Sequence, residues 1–194
     1  MTTRHARRRV GRPGRAELGL SADAVLDAAQ ALLREGGIAA VTLRAIAERL
    51  GADAMAPYHY FAGKDAILVA LAERIYAGFE VRLPRAGHRA RLRRLATAYV
   101  ALLVDELGEL TPYLAEASQR SERPARHFGA LFARAVERLE LSAARRRAAE
   151  HAFVDFLHGF ALARRAGDPA TRRALHAELA VIVAGIEAFA AGRA

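Results

Sequence analysis

From Ser21 onward, apolar residues return at intervals of three and four, and glycine or proline interrupts them. That period lines one face of a helix, whereas a half-buried strand needs strict alternation. Val25, Ala29, Leu32 and Leu33 form one such stripe, and Leu68, Leu71, Ile75 and Phe79 another. Leu175, Leu179, Ile182, Ile186 and Phe189 form a late one with near-heptad spacing. Ala and Leu recur, and few runs are rich in Val, Ile or Thr, which favours helix over sheet. The pattern predicts an all-α chain of about nine helices.

The punctuation predicts their bounds. Ser21 caps the first helix, with Asp23 in the turn where the dipole favours an acid, and Gly36-Gly37 ends it. Thr42 caps a short second helix with Leu43, Ile46, Ala47 and Leu50 on its apolar side, and Gly51 stops it. Asp53 caps a third that runs to near Phe61, and a fourth starts near Asp65. Five more follow over residues 90–107, 112–119, 124–139, 142–166 and 169–191. Pro84 to His88 reads as a hinge between a basic N-terminal module and a larger helical body. The division is a flexible basic arm at 1–20, a helix-turn-helix domain at 21–66 and a helical body at 67–194. No internal repeat is visible.

The chain has 194 residues, 53% of them hydrophobic, with a mean hydropathy of +0.04, so it can bury a core. It has no cysteine, which excludes disulfides, thiolate metal sites and a cysteine nucleophile, and agrees with a reducing cytoplasm. No apolar run is long enough to span a membrane. Arg7-Arg8-Arg9 is followed by Gly11-Arg12-Pro13-Gly14-Arg15 and not by an apolar stretch, so no twin-arginine export signal is expected.

The formal net charge is +9, and its position matters more than its size. Residues 1–15 carry six arginines and no acid; the other 24 basic residues face 21 acidic ones. A focused cationic arm on a near-balanced body suits a polyanionic partner, with a merely solvated tail as the alternative. The arm lacks apolar residues at helical spacing, which argues against a membrane surface.

The most specific stretch is Thr42-Leu-Arg-Ala-Ile-Ala-Glu-Arg-Leu-Gly51-Ala-Asp-Ala-Met-Ala-Pro-Tyr-His-Tyr-Phe61. Two short helices meet at a glycine-marked turn behind a longer helix, the arrangement that sends a second helix into a major groove. Residues 21–75 resemble the TetR family of bacterial regulators. The resemblance rests on the Thr-x-x-x-Ile-Ala core, the glycine after Leu50, the Tyr58-His59-Tyr60-Phe61 end and Lys64. His158-Gly159-Phe160 resembles a His-Gly pattern of that family's body.

The resemblance implies a double-stranded DNA operator as partner. Thr42, at a helix N-terminus, would meet a phosphate. Arg44 would reach a guanine edge, with Ala54 and Met55 against bases, thymine methyls being natural targets. Tyr58, His59 and Lys64 would bind phosphate or sugar. Three positions depart from the family pattern: Ala52 for Val, Asp53 for Ser or Thr, and Pro57 for Leu. Proline at the fourth position of a helix loses a hydrogen bond, so the third helix is expected to be looser or shifted. In the arm, Gly11-Arg12-Pro13 reads either as a minor-groove hook led by Arg12 or as a nonspecific phosphate tether.

The resemblance also implies a homodimer through the helices near 142–166 and 169–191, although their stripes also suit burial within one chain. The body would enclose an unknown small-molecule effector, with Tyr99, Tyr113, Phe128, Phe132, Phe153 and His158 as candidates that also suit a plain core. His151, Asp155 and His158 share one helix face; a polar strip is preferred to a metal site, and no metal or cofactor is expected. No nucleophile elbow, phosphate loop, dinucleotide fingerprint or zinc-protease motif appears, so no enzyme is expected. The expected function is a cytoplasmic DNA-binding regulator, a repressor released by its effector. The alternative is a helical ligand-binding or scaffold module with no operator.

If the arm binds phosphate, deleting residues 2–15 weakens DNA binding. It also flattens the plot of log affinity against log salt by up to about five units for six arginines. An arm that is only solvated leaves both unchanged.

Overall fold

The computed structural model describes residues 20–120, 123–163 and 169–192, and the described residues contain helices and turns. The arm, with Arg12 and its Gly-Arg-Pro core, and the expected helix end at Ala166-Gly167 lie outside them. The chain divides into two compact units at Ile67/Leu68.

The first unit opens on α1, Ala22–Ala40. Ser21 Oγ accepts from the Ala24 amide at 3.0 Å, as its place before the stripe predicts. The helix breaks at Gly36 and Gly37, and Gly37 takes φ +67°, where a side chain would be strained. One further turn runs to Ala40. α2 spans Leu43–Arg49, capped by Thr42 Oγ1 on the Ala45 amide at 3.1 Å. Ile46 and Ala47 are its buried face, and Gly51 leaves it at φ +61°. Arg49 reaches back to Glu35 of α1 at 2.5 Å.

The third helix differs from expectation. Residues 54–56 form a turn, and Pro57–His59 a single 3₁₀ turn. The amides of Ala56, Tyr58, His59 and Tyr60 all bond the carbonyl three residues back. Pro57 has no amide hydrogen to continue an α-helical ladder from Asp53, and the chain tightens instead. Asp53 does cap, through Oδ1 on the Met55 amide at 3.0 Å.

α3, Lys64–Ala77, carries the chain into the second unit. Pro84–His88, read from sequence as a hinge, lies inside that unit, where Arg91 Nε donates to the Pro84 carbonyl at 3.3 Å. α4, His88–Ala101, packs against α6, Arg123–Ala135, α7, Ala143–Leu162, and α8, Pro169–Ala190. Leu92, Leu95, Phe132, Phe153, Leu157 and Leu175 fill the space between them.

Beyond Ala101 the expected helix widens into a π-helical segment, Leu102–Leu107. Leu102, Leu103 and Leu107 are all buried there, and Thr111 Oγ1 donates to the Leu103 carbonyl at 3.0 Å. Gly108, at φ +48° and ψ −116°, turns the chain toward α5, Thr111–Arg120.

α4 begins with His88, Arg89 and Arg91 and no acid, against its own dipole. Glu187 of α8 answers the first two. Its carboxylate accepts from Arg89 at 2.6 and 2.7 Å and meets His88 Nε2 at 2.5 Å. The Arg89 bonds, then the His88 bond, lower its pKa from 4.5 to about 2. A lowered carboxylate stabilises above its unfolded pKa and loses that contribution as acid protonates it. The stability gap between the wild type and Glu187→Gln in denaturant melts is therefore full above pH 4.5 and closes toward pH 2.

Candidate nucleic-acid interface

The short 3₁₀ turn decides which side chains face outward in the first unit. Ala56 and Pro57 are buried, while Ala54, Met55, Tyr58 and His59 on either side are exposed. Met55 is 59% exposed and Tyr58 48%, among the largest exposed apolar surfaces described. A globular surface gains nothing from displaying them, so a partner surface is the physical reason to look for. Thr42 and Arg44 stand exposed at the start of α2. Thr42 Oγ1 keeps its own proton free to donate, because the capping bond uses it as an acceptor.

Lys64 is placed differently from its expected neighbours. It is half-buried, and Nζ donates to the Ile38 carbonyl at 2.7 Å in the last turn of α1. A cation at that carbonyl end suits the helix dipole, so Lys64 holds the start of α3 to the end of α1. An ammonium has two further hydrogens for a phosphate.

Sequence reading gave Tyr60 no role of its own. Its hydroxyl donates to the Leu20 carbonyl at 2.8 Å. That bond fixes the point where the described chain begins, next to the basic arm, against the end of the 3₁₀ turn. A half-buried tyrosine needs such a partner, but its identity forty residues away carries no sequence signal.

In the second unit, five of the six effector candidates come together. The rings of Tyr99 and Phe128 lie 4.7 Å apart, Phe132 and Phe153 5.4 Å, and Phe128 and Phe153 6.4 Å. His158 stacks on Tyr99, and its Nε2 lies 2.9 Å from the tyrosine hydroxyl. Tyr76, Phe79 and His127 extend the cluster, and sequence reading missed all three as site residues. Tyr113, on α5, enters none of the described ring contacts. Burial pushes the phenols of Tyr76 and Tyr99 well above their ordinary range and the His158 imidazole below its own. The Tyr99–His158 pair is thus a neutral hydrogen bond in an apolar setting.

His151 and Asp155 are exposed while His158 turns to Tyr99. Among the described residues, no group of three or more His, Asp or Glu could hold a metal ion.

Residues 25–71 match the family described as bacterial regulatory proteins, tetR family. No curated protein matches the chain. Among solved structures, BioQ with its double-stranded DNA operator is similar at 26% identity and a TM-score of 0.71, over 87% of this chain and 99% of that one. A TetR variant from Acinetobacter baumannii AYE in complex with minocycline is similar at 25% identity and a TM-score of 0.61, over 89% of this chain and 96% of that one. Apo ActR from Streptomyces coelicolor shares the fold at 17% identity and a TM-score of 0.71, over 90% of this chain and 98% of that one.

Replacing Lys64 by Met removes the charge-assisted bond to the Ile38 carbonyl, which also accepts from the Val41 amide at 3.2 Å. We expect a stability loss of about 1 kcal/mol in thermal melts without DNA. A residue serving phosphate alone would leave the melt unchanged.

Proposed function

We propose that the chain is a TetR-family repressor of transcription, released from a palindromic operator by a small-molecule effector. The observation that carries this reading is the exposed tip of the 3₁₀ turn beside Thr42 and Arg44. Arg44 supplies a fork for guanine, Ala54 and Met55 supply apolar contact to bases, and Thr42, Tyr58, His59 and Lys64 supply the phosphate grip. Arg12 and the other arginines of the arm add positive charge for the DNA backbone. BioQ with its operator supports the DNA half of this reading.

The same proposal keeps the functional division at 1–20, 21–66 and 67–194. The body pairs with a second copy through α7 and α8. Both helices carry small or apolar residues outward: Ala152, Gly159 and Leu162 on α7, and Ala177, Val181 and Ala184 on α8. Leu162 and Val181 are 69% and 72% exposed. A Cβ at Gly159 or Gly185 would meet nothing within 4 Å, so those faces have room for another helix. A two-fold pair matches the symmetry of an inverted-repeat site.

The effector enters the aromatic region around Tyr99, Phe128, Phe132, Phe153 and His158, with Tyr113 of α5 as a further candidate. The minocycline complex of the similar protein supports a small-molecule site in such a body. The effector acts only if it binds one state of the dimer better than the other. The coupling runs through α3, whose residues fall in both units. The protein works by binding and not by catalysis, needs no metal or cofactor, and acts in the cytoplasm where its DNA is. Among the described residues, no helix is long and apolar enough to cross a membrane.

The double variant Arg44→Ala with Tyr58→Ala tests this. Losing one base fork and one phosphate contact lowers operator affinity in fluorescence anisotropy by about a hundredfold or more. The circular dichroism spectrum and sedimentation stay unchanged, because both side chains are exposed. Unaltered affinity would remove this surface from DNA binding.

A further inference from the structure

A groove between α4 and α8 combines features that neither the operator nor the aromatic cluster uses. Two adjoining clefts of about 340 and 400 Å³ share Arg93 and His176. Leu179, Val183 and Ala180 of α8 make an apolar floor, and Arg89, Arg93 and Arg94 of α4 make a cationic wall. Among the described residues, no carboxylate lines either cleft. Glu187 neutralises Arg89, but the guanidinium groups of Arg93 and Arg94 have no acidic partner among the described residues. The groove therefore keeps an unanswered positive charge above an apolar surface.

The polar groups on its rim are held by one another. Thr97 gives its hydroxyl proton to the Arg93 carbonyl at 2.8 Å. Its oxygen lies 3.3 Å from His176 Nε2, so that nitrogen carries the hydrogen and the imidazole is fixed by Thr97. Of the four arginines in the first two turns of α4, Arg89 and Arg91 have carboxylate partners in Glu187 and Glu137, which leaves Arg93 and Arg94 at the end where the helix dipole opposes them. The groove adjoins the proposed dimer face at Ala184, while Arg93 and Arg94 stand on α4, outside that face.

We propose that this groove binds a small anionic amphiphile, a molecule with a carboxylate or phosphate head next to a short apolar segment. The head pairs with Arg93 and Arg94, whose planar forks match both groups, and His176 lies beside it. The apolar segment covers Leu179, Ala180 and Val183. The site goes beyond the effector reading and uses none of the aromatic residues named there.

The test is isothermal titration of the full-length protein with octanoate, octyl phosphate and inorganic phosphate. At least one of the two octyl probes binds saturably, and inorganic phosphate binds at least tenfold more weakly than that probe. The double variant Arg93→Gln with Arg94→Gln weakens the octyl probe at least tenfold and leaves operator affinity unchanged. Ala180→Leu, which fills the floor and keeps both arginines, weakens it as well. His158→Gln, in the aromatic cluster, does not. The proposal is overturned if neither octyl probe binds, if the arginine variant binds it as tightly as wild type, or if inorganic phosphate binds equally well. Loss of binding in His158→Gln alone overturns it too, because the probe then sits in the aromatic cluster.

Discussion

The burial of Ile46 and Ala47 is the contact on which the first unit depends. These two residues of α2 are 0% and 2% exposed. α2 has seven residues, far too few to hold as an isolated helix in water. Its helicity comes from the Thr42 cap at one end, the Gly51 exit at the other, and apolar burial between them. Fully burying an Ile side chain contributes roughly 1.5–3 kcal/mol, more than a cap supplies. The Arg49–Glu35 pair is exposed and serves to orient. Once α2 is seated on α1, the chain after Gly51 has one course, and Met55 and Tyr58 face outward.

Much of this was legible in the sequence because it is local. Ser21, Thr42 and Asp53 cap where small polar residues precede a periodic stretch, and Gly37 and Gly51 take the positive φ that ends a helix. The family pattern placed the whole unit. What escaped was either a backbone subtlety or a long-range partner. Periodicity over 53–61 reads as α-helix, and the missing hydrogen of Pro57 makes it a 3₁₀ turn. Lys64 reads as a free cation until its carbonyl partner on α1 is known, and Tyr60 reads as one more aromatic.

The body shows the same division. Its stripes name the core, and Tyr99, Phe128, Phe132 and Phe153 are buried as such stripes require. No stripe says that Tyr99 and His158 meet, because that pairing depends on how α4 lies against α7. Nor does any say that the helix widens after Ala101, where consecutive leucines are both buried and α-helical geometry gives way. The polar pair and the widened turn both depart from plain packing in the region proposed for the effector. Buried polar pairs and π-helical turns recur at functional sites for this reason: each has a packing cost that a simple core avoids.

The proposed function requires a two-fold protein that reads DNA through a short, exposed 3₁₀ tip. Selection of bound duplexes from a random pool, followed by footprinting, tests it most directly. The account predicts an inverted repeat whose half-site centres lie about one helical turn, roughly 34–36 Å, or a multiple of it apart. Failure to enrich any sequence, or enrichment of one asymmetric site protected on a single half, would contradict it.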